Sequence, residues 1–210
     1  MKIVYIAISL FLFTFSISKA QQASLTIGLG KPLTSHSATD AAGSPYLTNN
    51  FQNSEVTTPG GHTLPNVPLR YNVYDQTIEC MINNQVYDVT DSVMRFSYTD
   101  SVMQVNIFFK QIGKTIYYKL LVKGNYSLLK IHQAEIASDE DWYTKKVTKK
   151  YVIKSGYLLF DGSKAIPIGT SKKSFMAAFN NSSVVKEQFD KETPDLKDES
   201  SLINFFKELK

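Results

Sequence analysis

From residue 68 to residue 168 the apolar side chains recur at every second position, and that period constrains the fold more than any other feature of the chain. In PLRYNVYDQTIECMINNQVYDV, Leu69, Tyr71 and Val73 share one face, and Ile78, Cys80 and Ile82 share one face after Asp75-Gln76. Alternation of this kind is the mark of strands buried on one side. The runs are separated by residues that reach positive φ at low cost: Asn83-Asn84, Lys123-Gly124-Asn125, Ser155-Gly156 and Asp161-Gly162. The expected architecture is an antiparallel meander, barrel-like, with a hairpin turn at each of these points. AEIASDEDWYTKKVTKK, acidic and then basic, reads as a solvated loop or sheet edge between hairpins.

The pattern changes on both sides of this block. Residues 21–65 hold nine of the chain's 17 Gly and Pro residues and bury little, so they read as an extended strap. Tyr46, Leu47, Phe51 and Val56 are candidates to pin it, and Pro59-Gly60-Gly61-His62 reads as a turn. After Gly169 the period becomes helical. Phe175 and Phe179, Val185 and Phe189, and Leu202, Phe205, Phe206 and Leu209 form apolar stripes. The fold class is therefore α+β with β dominant: strap 21–65, antiparallel β domain 66–169, and short helices over 170–210 packed on the sheet.

Residues 1–20 read as a secretory signal peptide. Lys2 precedes an apolar run, and the small residues Ser18 and Ala20 sit three and one positions before a cut between Ala20 and Gln21. The run is shorter than the ~20 residues that span a bilayer, so the mature chain is expected not to be an integral membrane protein. Localisation is expected to be exported, periplasmic or extracellular. Cys80 is the sole cysteine, so no internal disulfide holds the fold, and its place in TIECMI reads as a core residue.

Charge is unevenly spread. Residues 21–107 are net −4 and residues 108–154 net +6. The basic block interleaves aromatics with lysines, and a binding surface is expected at Tyr117, Tyr118, Tyr126, Trp142, Tyr143, Lys145 and Lys146. With only two arginines, Arg70 and Arg95, the chain makes a poor nucleic-acid binder, and Arg70 reads as half of a structural ion pair. His36, His62 and His132 show no metal-ligand spacing, and no catalytic or nucleotide-binding motif is present. No cofactor or metal is expected, and no catalytic residue is assigned. Asp75, Glu79 and Asp161 remain carboxylates that a hydrolase would have to bring together.

The stretch TDSVMRFSYTDSVM carries the same five residues twice. Asp and Ser bond their own backbone, so two turns leading into strands account for the repeat.

GSPYLTNNF, PLRYNVYDQTIE, YYKLLVKGNYSLLK and the Lys-rich tail starting SKKSFMAAF resemble a family of secreted proteins of Bacteroidetes with no established activity. The resemblance implies an extracytoplasmic bacterial protein and carries over no catalytic residue. The helical C-terminus, without a terminal β sorting domain, favours the periplasm. The same lineage makes the two Asp-Ser-Val sites candidates for O-glycosylation at Ser92 and Ser101. The expected function is a non-enzymatic binding or structural module with an envelope glycan, peptide or protein partner. The alternatives are a periplasmic hydrolase with an unidentified carboxylate site and a carrier of a small apolar ligand.

Overall fold

The computed structural model describes residues 30–33, 40–99, 105–110 and 117–209. Eleven strands follow one another: β1 (Lys31–Pro32), β2 (Gln52–Thr57), β3 (Thr63–Asn72), β4 (Thr77–Ile82), β5 (Gln85–Asp88), β6 (Arg95–Thr99), β7 (Val105–Lys110), β8 (Tyr117–Val122), β9 (Ser127–Glu140), β10 (Val147–Phe160) and β11 (Ala165–Pro167). Among the described residues three α-helices follow the strands, α1 (Lys172–Ala178), α2 (Ser183–Lys191) and α3 (Glu199–Glu208). The strands form one antiparallel ladder in the order β1-β5-β4-β3-β2-β6-β7-β8-β9-β10-β11.

Alternation decides which side chains go inside. Leu69, Tyr71 and Val73 are buried, and so are Ile78, Cys80 and Ile82, which β4 sets beside them through the pairs Leu69–Cys80 and Tyr71–Ile78. The Asn83-Asn84 turn has both residues at positive φ, 50° and 61°, the geometry a two-residue hairpin needs. Pro59-Gly60-Gly61-His62 is a turn between β2 and β3, with the His62 carbonyl accepting from Thr58 N–H.

The barrel-like closure expected from the sequence is not present. Among the described residues no ladder joins the two ends of the strand order. The sheet curls strongly all the same. Tyr71 of β3 and Tyr117 of β8 have ring centroids 5.6 Å apart, and Phe96 of β6 packs edge-on against both. Three strands lie between β3 and β8, so a flat sheet would hold the two rings roughly 19 Å apart. The rings fill the inside of the curl and form one core with Val56, Val67 and Val93. The phenol of Tyr117 is not left dry. It donates to the Val93 carbonyl at 2.7 Å and the Thr90 carbonyl at 3.2 Å.

A second core lies where the helices cover the end of the sheet. Phe175, Phe179, Val185, Phe189, Leu202, Phe205 and Phe206 pack on Val122, Leu128 and Leu159. The helices start where the sequence supplies caps. Ser171 and Ser174 cap each other's backbone in a capping box, and the Asp198 carboxylate accepts from Ser201 N–H. The ion pair of Lys130 on β9 with Glu199 on α3, which Tyr157 also reaches at 3.0 Å, ties α3 to the sheet.

Residues 21–65, expected as a strap, include a central strand. β2 lies between β3 and β6, and β3 begins at Thr63. Loop-rich composition around the 58–62 turn hides the burial of Ser54 and Val56. The strap proper is 40–51. Leu47 N–H donates to the Tyr71 carbonyl and the Pro45 carbonyl accepts from Val73 N–H. Arg70 lies between the rings of Tyr46 and Phe51, 3.9 and 4.5 Å from their centroids, and bonds the fully buried Glu79 at 2.7 Å. The structural ion pair expected for Arg70 is therefore the pin of the strap. The signal peptide, with Ala20 and Gln21, and residues 100–103 of the second TDSVM copy, with Ser101, lie outside the described residues.

The largest departure from expectation is at Ser155-Gly156. These residues do not form a turn. They lie inside β10, opposite His132 and Ile131 of β9. β9 and β10 pair without interruption over 14 residues each, and the acidic-basic segment expected as a loop or edge forms the far half of this hairpin.

Candidate functional site

The far half of the β9–β10 hairpin is an arm. From Ser138 to Lys150 every residue is exposed, while the ladder continues through Ala137–Lys150 to Glu140–Val147. Its turn is built by Asp141. The Asp141 carboxylate accepts from the N–H groups of Tyr143 at 3.0 Å and Thr144 at 2.6 Å, and from the Thr144 hydroxyl at 2.9 Å. These donors, Thr144 first, hold the carboxyl below its usual range. Lys145 takes the left-handed conformation at φ 58° and donates its N–H to the Asp141 carbonyl. Asp141 N–H then closes on the Lys146 carbonyl.

This turn carries Trp142 and Tyr143, each 80% exposed, with their rings edge to face 5.6 Å apart. Val147, also exposed, follows at the start of β10. Large rings are rarely left this open unless something covers them. Five lysines, Lys145, Lys146, Lys149, Lys150 and Lys154, lie on the turn and on β10, and no acid lies among them. The acids Glu135, Asp139 and Glu140 are on β9. Lys154 pairs with Glu135, Lys145 with Glu140, and Lys149 with Asp40 of the strap.

The expected binding surface therefore divides. Trp142, Tyr143, Lys145 and Lys146 come together at the tip of the arm. Tyr117 is wholly buried in the first core, which corrects its assignment to a surface. Curling of the sheet turns that ring inward, and period two alone says nothing of curl. Tyr126 is half-buried, edge-on to Phe179 at 5.1 Å, and belongs to the second core. Tyr118 is half-buried in a cleft of about 440 Å³ under the β10–β11 turn, with Leu129 and Phe160. The tip had one legible signal, an Asp placed two and three residues before the amides it caps.

The thiol, the three carboxylates and His132 each sit in structural surroundings. Burial pushes the Cys80 thiol up to about 12, far from a thiolate at neutral pH. Glu79 is taken by Arg70, Asp75 accepts from Asn72 Nδ2, and Asp161 caps the Ser163 and Lys164 amides of its own turn. Those amides, Lys164 first, bring the Asp161 carboxyl down to about 2. His132 is buried, with Nδ1 3.1 Å from the Ser155 hydroxyl. Burial, then Lys130 and Lys119, lowers its pKa to about 4, so the ring is neutral. Among the described residues no cluster of His, Cys, Asp or Glu forms a metal site. Among them, no helix is long and apolar enough to cross a membrane.

Ser92, a candidate for modification, closes the 3-10 turn over Thr90–Ser92 and is half-exposed. Thr90, which opens the turn, donates its hydroxyl to Asp88 and accepts from Ile78 N–H, and these bonds anchor the turn to the sheet.

No protein-family model, curated protein or solved structure matches this chain.

Proposed function

We propose that the chain is an exported envelope protein that acts as a non-enzymatic binding module. The β9–β10 arm is its recognition element, and its partner is a glycan, peptide or protein of the envelope. One observation carries this reading: Trp142 and Tyr143 are held open to solvent on a turn that Asp141 fixes in advance. A tip ordered before it meets a partner loses little entropy on binding, and two rings supply most of the contact area of a small interface.

The experiment is cosedimentation of the mature chain with envelopes prepared from its host. The chain is expected to pellet with them, and Trp142→Ala/Tyr143→Ala is expected to stay in the supernatant with an unchanged melting temperature. Equal retention of the two proteins overturns the reading. An O-glycan at Ser92 belongs to the same picture of an exported protein, and it is read as intact mass that survives denaturation and maps to that residue.

A further inference from the structure

We propose that the outer edge of β10, between Tyr151 and Tyr157, accepts an extended acidic peptide of a partner protein as an added strand. The inference goes beyond the reading of the tip and uses the half of β10 nearer the body.

The parity of β10 is fixed by three bonds. The Lys149 carbonyl accepts from Ala42 N–H, Tyr151 N–H donates to the Ala42 carbonyl, and the Tyr157 carbonyl accepts from Ile168 N–H. Odd-numbered residues of β10 thus turn their N–H and C=O groups away from β9, and even-numbered residues bond to it. Ile153 and Ser155 are odd. Their backbone groups face outward, and no described residue meets them: the strap pairs at Ala42, and β11 pairs only over Leu158–Phe160. The gap from Tyr151 to Tyr157 is roughly 20 Å long, room for a short strand. Ile153, Lys154 and Ser155 are exposed, so the edge is open to solvent.

Charge selects the occupant. β10 carries Lys149, Lys150 and Lys154 and no acid; Lys149 holds Asp40 and Lys154 holds Glu135 at the exposed surface, where an ammonium keeps a donor for a second carboxylate. A second copy of the same edge would set lysine against lysine, which is unfavourable across a strand pair. An acidic segment meets these lysines, while its main chain satisfies the four outward groups. The chain itself already uses this edge once, through Ala42 and the Lys149–Asp40 pair.

The test uses a fluorescein-labelled hexapeptide of alternating Glu and Val with capped ends, titrated with the mature chain and read by anisotropy. Saturable binding is expected, and at least about tenfold weaker binding of the Lys/Val counterpart. Ser155→Pro removes one outward N–H and leaves the β9 ladder its own bonds, so it is expected to weaken binding about tenfold. Ser155→Ala keeps the N–H and is expected to bind as the parent does. In the unaltered chain, which needs no substitution to fold, peptide is expected to slow amide exchange at Ile153 and Ser155. Failure to saturate overturns the proposal. So does binding that Ser155→Pro leaves intact and that slows neither amide, which is contact with lysines alone. Slow exchange at both amides in a concentration-dependent dimer, without peptide, gives the edge to a second copy and also overturns it. Trp142→Ala/Tyr143→Ala is expected to bind the peptide normally, so failure of the tip and failure of the edge are separately visible.

Discussion

The two halves of one hairpin differ more than any two elements of this protein. Near the body, β9 and β10 bury Leu128, Leu129 and Leu159 against the helices and the sheet. Beyond Ala137 and Tyr151 the same two strands, in the same unbroken register, are exposed down to the turn. Backbone pairing is equal in both halves, and only burial differs. Two-stranded ribbons are marginal on their own, so the far half stands on the near half. The near half therefore sets stability, and the far half adds length that the core does not use.

The sharpest way to break this comparison is to damage the near half. Leu128 is wholly buried in the second core. Leu128→Ala removes its apolar contacts and leaves a cavity, so a loss of about 2–5 kcal/mol is expected in chemical denaturation. Val147→Ala, in the far half, is expected to change stability by less than about 0.5 kcal/mol. Equal losses would mean that the arm is packed in solution.

His132 lies within the near half, opposite Ser155, and gives the comparison a pH axis. Its ring is neutral when folded, with a pKa of about 4 against 6.5 for the free side chain, because burial and then Lys130 and Lys119 oppose the charge. Between these values the unfolded chain holds a proton that the folded chain refuses. Its share of stability is present above pH 6.5 and is lost as pH falls towards 4, an upper bound of about 3 kcal/mol. Denaturant midpoints taken across this window are expected to fall with acid, and less so in His132→Gln. A parallel decline in the variant would remove His132 as the cause.

Glu199 offers a smaller test of the near half. Burial alone would raise its carboxyl, and the Lys130 hydrogen bond and charge, with the Tyr157 hydroxyl, outweigh that and hold it below the usual range. The group is partly open to solvent, which weakens the pair. Glu199→Gln is expected to cost about 1 kcal/mol in denaturation and to loosen α3, visible as faster amide exchange in that helix. No change in exchange would mean that the aromatic contacts alone hold α3.

Why the buried body was legible and the hairpin was not follows from what each rests on. Leu69, Tyr71, Ile78 and Cys80 alternate because one side of their strands is buried, and the helix stripes at Phe175, Phe179, Phe205 and Phe206 repeat for the same reason. The far half has no buried side, so it leaves no period in the sequence and reads as charge. Gly156 then acts as a false turn signal, since glycine marks both turns and strand interiors. The true turn contains no glycine and relies on Asp141 and on Lys145 at positive φ. Tyr117 shows a different gap. Its alternation places it on one face of β8, but only the curl of the sheet brings it against Tyr71 and Phe96. The tip aromatics and lysines were readable as a surface because they are local, whereas the open edge at Ile153 and Ser155 depends on which strands stop short.

The smallest expected effect is the most informative one. Joining Ala137 to Lys150 through Asn-Gly removes residues 138–149, and Ala137–Lys150 is a hydrogen-bonded cross-strand pair, so a two-residue hairpin fits the remaining register. The shortened protein keeps Leu128, Leu129, Leu159 and the whole second core. It loses exposed side chains, the Lys149–Asp40 pair and the Ala42 bond to Lys149, none of which supports much stability at a solvated surface. Its denaturation midpoint is expected to lie within about 1 kcal/mol of the parent, while retention on host envelopes is lost with the tip. A large loss of stability would make the arm a structural part that holds the strap to the sheet. An unchanged fold with lost retention would mark the arm as length selected for contact with something outside the chain.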